Sequence, residues 1–84
     1  MEEVIKAYIS VEIVSDLSLL PLDNDLSLME ANILDSVAFL NLVLFLEERF
    51  GISVEDTELT RENFETINII AAYVRRKQGT AVAR

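Results

Sequence analysis

The sequence has no cysteine, no histidine and no tryptophan, and it carries two glycines, one proline and only 7 basic residues against 15 acids. Without cysteine there is no disulfide and no thiol nucleophile, a composition neutral to mildly favourable for a reducing cytoplasm. The lack of histidine removes the commonest general base and the usual nitrogen ligand of zinc, so a hydrolytic triad or structural zinc site is not expected. No glycine-rich run is present to cradle a phosphate. The shortage of cations leaves a formal charge of −8, which repels phosphate backbones and argues against nucleic acid; basic or zwitterionic protein surfaces are better partners. No apolar run reaches the roughly 18 residues of a membrane span, so membrane insertion is not expected. Met1-Glu2-Glu3 is acidic where a secretory signal would be basic, and a soluble cytoplasmic location is expected.

What is there is a short, apolar chain. Its 84 residues are 51% hydrophobic, near the size at which one core only just offsets conformational entropy. Ordering costs about 1.5 kcal/mol per residue, while a fully buried aliphatic or aromatic side chain returns about 1.5 to 3 kcal/mol. Most large apolar residues must therefore be used. A single domain over residues 1–78 is expected, with a disordered tail at 79–84.

Along the chain, Val4, Tyr8 and Val11 recur at helical spacing and predict helix I over residues 3–14. Val11-Glu12-Ile13-Val14 alternates like a strand, but no second strand is evident to pair with it. From Ser15 to Asp35 the pattern breaks at Pro21 and at Asp23-Asn24-Asp25, residues of turn chemistry. This long loop is rich in leucine (Leu17, Leu19, Leu20, Leu22, Leu26, Leu28), so it is expected to pack over the core as a lid, with a short helical turn near Asp25 to Met29. Helix II runs from Ser36 to Phe50 and stops at Gly51, a residue suited to the left-handed position after a helix end. Ile52-Ser53-Val54 reads as an extended link and Glu55-Asp56 as a turn. Thr60 is placed to cap a brief helix III through Phe64, and Thr66 to cap helix IV. In helix IV, Ile67, Ile70, Ala71 and Val74 form an apolar stripe. Arg75, Arg76 and Lys77 are expected to end it, where the helix dipole favours cations.

Helix II is apolar on two faces. Phe39, Leu42, Val43, Leu46 and Phe50 make one stripe; Val37, Leu40 and Leu44 make another. Periodicity alone favours burial of both, since apolar stripes are usually core, but in a small bundle the second can also be a docking surface. Asp35-Ser36 opens the helix and reads locally as an N-cap. A hydroxyl there is exposed, and the dipole favours a phosphate attached to it. Ser36 has no evident base to make it a nucleophile, so modification by another enzyme is its more economical use.

The run Ser27-Leu28-Met29-Glu30-Ala31-Asn32-Ile33-Leu34-Asp35-Ser36-Val37, followed by Phe45-Leu46-Glu47-Glu48-Arg49-Phe50-Gly51-Ile52, resembles the attachment-site region of acyl carrier and peptidyl carrier proteins. Glu62-Asn63-Phe64-Glu65-Thr66-Ile67 resembles the family's third helix and the start of its fourth. The resemblance covers residues 3 to 77. It implies an all-α four-helix bundle with a long loop between helices I and II and a short helix III. It also implies that a phosphopantetheinyl transferase moves 4'-phosphopantetheine from coenzyme A to Ser36, and that the arm's thiol then carries an acyl or aminoacyl group as a thioester. Such a chain is a monomeric carrier and not an enzyme. Its partners are the transferase, a loading ligase and a downstream acyltransferase or synthase.

On the same resemblance, Asp35 matches the residue that helps position the transferase and its metal. The first stripe of helix II matches core positions. Val37, Leu40, Asn41, Leu44, Glu47 and Glu48 match the partner-docking face, which reverses the expectation from periodicity. Asn32 stands where many carriers have glycine, and asparagine tolerates the positive φ of that turn. Ala38 and Asn41 stand where carriers of fatty acid synthesis usually have acids. With the Ile-Leu-Asp-Ser form of the site, this points to a specialised lipid, polyketide or aminoacyl pathway. The alternative is a helical interaction module that uses the apolar face of helix II, with Ser36 only a cap.

Overall fold

The computed structural model describes residues 1–14, 18 and 20–82, and among them it contains helices and no strand. Helix α1 spans Glu2–Tyr8 and continues directly into a π-helical turn, Ile9–Ile13; α2 spans Ser36–Phe50, α3 Arg61–Phe64 and α4 Ile67–Val82. A 3-10 turn, Asp56–Glu58, precedes α3. The expected all-α order with a long first loop and a short third helix is the observed one.

The core-facing side of the first helix differs from the predicted Val4, Tyr8 and Val11. Ile5 and Ile9 are fully buried, whereas Val11 is 75% exposed. Beyond Tyr8 the winding widens into the π-helical turn, with Val14 donating to the carbonyl of Ile9 at 2.8 Å, so Val11 no longer falls where an α-helical spacing of seven from Val4 would put it. Ile5 and Ile9 share the inner side, and Tyr8 and Ile13 pack partly buried against it.

In α4 the predicted stripe holds, with Ile67, Ile70, Ala71 and Val74 all fully buried. Thr66 caps it as expected, its Oγ1 accepting the Ile69 amide at 3.1 Å. Its end does not lie at the cations. Residues 79–82, where a tail was expected, continue the helix to Val82, and 83 and 84 lie outside the described residues. Arg75, Arg76 and Lys77 are therefore mid-helix cations, and they find side-chain partners instead of the dipole. Arg75 pairs with Glu2 at 2.8 Å, Lys77 with Glu58 at 2.9 Å, and Arg76 donates to Asn63 Oδ1 at 3.3 Å. The Arg75 guanidinium holds the Glu2 carboxyl below its ordinary value.

The long loop is a lid, as its leucines suggested. Leu22, Leu28, Ile33 and Leu34 are buried in the core; Leu17 and Leu19 lie outside the described residues. The expected helical turn at Asp25 to Met29 is absent, and hydrogen-bonded turns at residues 28–32 stand in its place. What fixes the lid is the start of α4. Leu28 donates to the Glu65 carbonyl at 2.8 Å, the Asn68 amide to the Asn24 carbonyl at 3.1 Å, and Asn68 Nδ2 to Asp25 Oδ1 at 2.8 Å. Ser27 Oγ also bonds the Glu65 carboxylate. Arg61 reaches Glu65 at 2.6 Å and Glu30 at 2.9 Å, and together Arg61 and Ser27 lower the Glu65 carboxyl. Asn32 has φ +58, the left-handed turn anticipated for it, and Ile33 turns back to the Leu28 carbonyl at 2.9 Å.

Candidate functional site

The site is the head of α2, delivered by the lid. Leu34 is buried, and the next residue, Asp35, leaves the core with extended backbone (φ −85°, ψ −176°). Its Oδ1 accepts the Ala38 amide at 2.8 Å, and its carbonyl accepts Phe39 at 2.8 Å. This is the N-cap that the pair Asp35-Ser36 predicted. Ser36 is the first helical residue and is exposed. At the other end Gly51 takes φ +66 and donates to Glu47, as a C-terminal glycine does.

The two faces of α2 separate cleanly. Leu42, Val43 and Leu46 are buried, with Phe39 and Phe50 partly buried against the same core. Val37, Leu40 and Leu44 are 69%, 57% and 56% exposed, so the expectation from periodicity that both stripes are core fails. The reason is geometric: α4 packs against one side of α2, and Val37, Leu40 and Leu44 are left on the side turned away from the core. Asn41 and Glu48 are exposed on α2 with them. Tyr8 borders this surface, stacked on Phe45 with ring centroids 4.0 Å apart and planes 12° apart. Its hydroxyl donates to the Asn41 carbonyl at 3.3 Å, and burial, then the nearby Glu12 charge, push its phenol up.

Glu47 departs from the expected docking set. It is only partly exposed, and its Oε2 accepts the Val54 amide at 2.9 Å, so it holds the link after Gly51 in place. Thr60 also departs, because it precedes α3 without a side-chain cap bond. The Asn63 amide goes instead to the Thr60 carbonyl at 3.1 Å, and Asn63 Nδ2 to the Glu58 carbonyl at 2.9 Å.

Beside Ser36 a groove of about 410 Å³ opens to solvent, lined by Asp35, Ser36, Phe39, Leu40 and Leu59. Leu59 was not singled out in the sequence, because it lies between the 3-10 turn and α3 with no periodic pattern to mark it. Glu58 beside it was missed for the same reason, and it is a hub. One carboxylate oxygen, Oε1, accepts Glu55 N at 3.0 Å, Tyr73 Oη at 2.9 Å and Lys77 Nζ at 2.9 Å. The Glu55 amide and Lys77 hold this carboxyl below its ordinary value, while burial and the Glu58 charge push the Tyr73 phenol up. Among the described residues no carboxylate cluster is placed to hold a metal ion, and no helix is long and apolar enough to cross a membrane.

No established protein-family model matches the chain. Individual relatives do. It is 43% identical over 56 residues to a D-alanyl carrier protein of Lactococcus lactis subsp. lactis (strain IL1403), covering 67% of this chain and 71% of that protein. A D-alanyl carrier protein of Abiotrophia defectiva is 34% identical over 55 residues, 66% of this chain and 70% of that one. One of Lacticaseibacillus rhamnosus is 37% identical over 54 residues, 64% and 67% of the two chains.

Proposed function

The chain belongs to the carrier-protein family, a family of non-enzymes that enzymes act upon, and on that footing we propose that it is an aminoacyl carrier loaded at Ser36 through 4'-phosphopantetheine. The observation that carries the reading is the exposed Ser36 hydroxyl at the first position of a 15-residue helix.

The residues present fit such a group. The first main-chain bond of α2 is made by Phe39 and the Ala38 amide is taken by Asp35, so the amides of Ser36 and Val37 would be available to a phosphate on Ser36. The positive end of the helix dipole favours its charge. Ser36 Oγ forms a phosphodiester with the pantetheine phosphate as the pyrophosphate bond of coenzyme A breaks; adenosine 3',5'-bisphosphate leaves and the hydroxyl proton passes to the transferase. The arm, once attached, supplies a thiol on a flexible tether. Asp35 keeps the helix start in shape and offers the transferase a carboxylate.

Val37, Leu40 and Leu44, with Asn41 and Glu48, form the surface on which transferase, loading ligase and downstream acyltransferase dock in turn. Glu47 serves the fold, so Glu48 supplies the charge of this face. The relatives' name favours an aminoacyl cargo of the D-alanyl type over the lipid and polyketide pathways that the resemblance also allows. Loading at the expense of coenzyme A suits a cytoplasmic protein.

The test is direct: the purified protein is incubated with coenzyme A and a broad-specificity phosphopantetheinyl transferase and weighed intact. The expected mass gain is one phosphopantetheine, absent in Ser36→Ala. No gain with several transferases would overturn the reading.

A further inference from the structure

The groove at Ser36 is open to solvent and ends on packed rings. Its inner side is Phe39, whose ring packs on Phe64 with centroids 4.9 Å apart at 54°, and Phe64 packs on Tyr73 at 5.3 Å and 52°. Phe64 is fully buried and Tyr73 nearly so. The far end of this row is tied down, since the Tyr73 hydroxyl donates to Glu58, which Lys77 also holds. Glu58 is followed directly by Leu59, the opposite side of the groove. A continuous series of contacts thus runs from the floor of the groove through the core and back to its rim.

We infer that the row Phe39, Phe64 and Tyr73, fixed at Glu58, is a specificity-determining wall that keeps carried groups at the surface and bars alkyl chains from the interior. This rests on the reading that Ser36 bears the arm. An alkyl chain gains from burial only where space exists or can be made, and here the Phe39–Phe64 and Phe64–Tyr73 contacts would have to part. A small aminoacyl group loses nothing by the wall, because its ammonium is costly to bury and stays in water. The wall therefore matches a short polar cargo and leaves a long acyl group exposed.

The experiment compares two cargoes on the full chain. Coenzyme A analogues bearing an octanoyl or an alanyl group through a stable amide are transferred to the wild type, and loading is established by intact mass. Melting temperatures and backbone amide spectra are then recorded. The two loaded forms are expected to melt at the same temperature, with the Phe64 and Tyr73 amides unmoved by octanoyl. In Phe39→Ala the octanoyl form is expected to melt above the alanyl form and to shift those two amides; Phe39→Leu replaces it should the alanine variant fail to fold. Stabilisation of the wild type by octanoyl, with shifts at Phe64 and Tyr73, would overturn the proposal, as would an opened variant that octanoyl leaves unstabilised. A missing mass gain is a different result, which overturns the Ser36 reading and this one with it.

Discussion

Tyr73 and Glu58 meet through a hydrogen bond of 2.9 Å that joins the middle of α4 to the 3-10 turn just before Leu59. The same carboxylate receives Lys77 and the Glu55 amide, so its charge is needed where it stands.

Stability should accordingly depend on Glu58 in a pH-dependent way. Its carboxyl lies below the ordinary value of 4.5. A folded value lowered in this manner contributes stability that is full above the unfolded value and lost as pH falls through the folded one. Glu58→Gln should therefore be less stable than wild type at neutral pH, with the gap narrowing as pH falls from about 5 toward 3. Urea melts across that range measure it, and a gap that stays constant would show that the charge plays no part.

Asp35 separates two roles. Asp35→Ala removes the cap on Ala38 and should cost about 1 kcal/mol. Asp35→Asn keeps an acceptor and should cost only a few tenths of that, since asparagine caps about as well as aspartate. Both should slow transfer of the arm to Ser36, the asparagine variant without loss of folding. Thermal melts and a mass time course read the two effects apart; full loading rates in Asp35→Asn would remove the carboxylate from transferase recognition.

Leu40→Glu should leave helicity intact and change stability by no more than about 0.5 kcal/mol, as exposed positions do. Transfer of cargo to or from partner enzymes should fall. Circular dichroism and a loading assay with the cognate ligase test the pair of statements, and unfolding of the variant would place Leu40 in the core after all.

Positive φ gives a fourth test. An added Cβ at Gly51 meets nothing within 4 Å, so the cost of Gly51→Ala is backbone alone, about 1 to 2 kcal/mol. Asn32→Gly should be tolerated and Asn32→Val should not, because a β-branched residue is a genuine outlier at that conformation. Chemical denaturation ranks the three variants.

What could be read from the residues beforehand was whatever is governed locally. The start of α2 at Asp35, its stop at Gly51, the turn at Asn32 and the stripe of α4 each depend on chemistry within a few residues, and each was legible. The inner side of the first helix was not, because a π-helical turn is decided by packing and leaves no period of its own. Glu47, Glu58 and the cations of α4 were misjudged or missed because their partners come from other elements. The exposure of Val37, Leu40 and Leu44 needed the fold as well, since periodicity marks an apolar face without saying what covers it.

The main-chain bonds between Leu28 and Glu65 and between Asn24 and Asn68 have a consequence for the protein as it is made. On the ribosome α2 can close its own cap as soon as it emerges, but the segment leading into it has nothing to hold until residues 65–68 have left the exit tunnel. The serine is thus synthesised long before its surroundings are finished. A modifying enzyme that requires the folded loop will therefore act only after residues 65–68 have joined it, and the start of α4 sets the order of folding and modification.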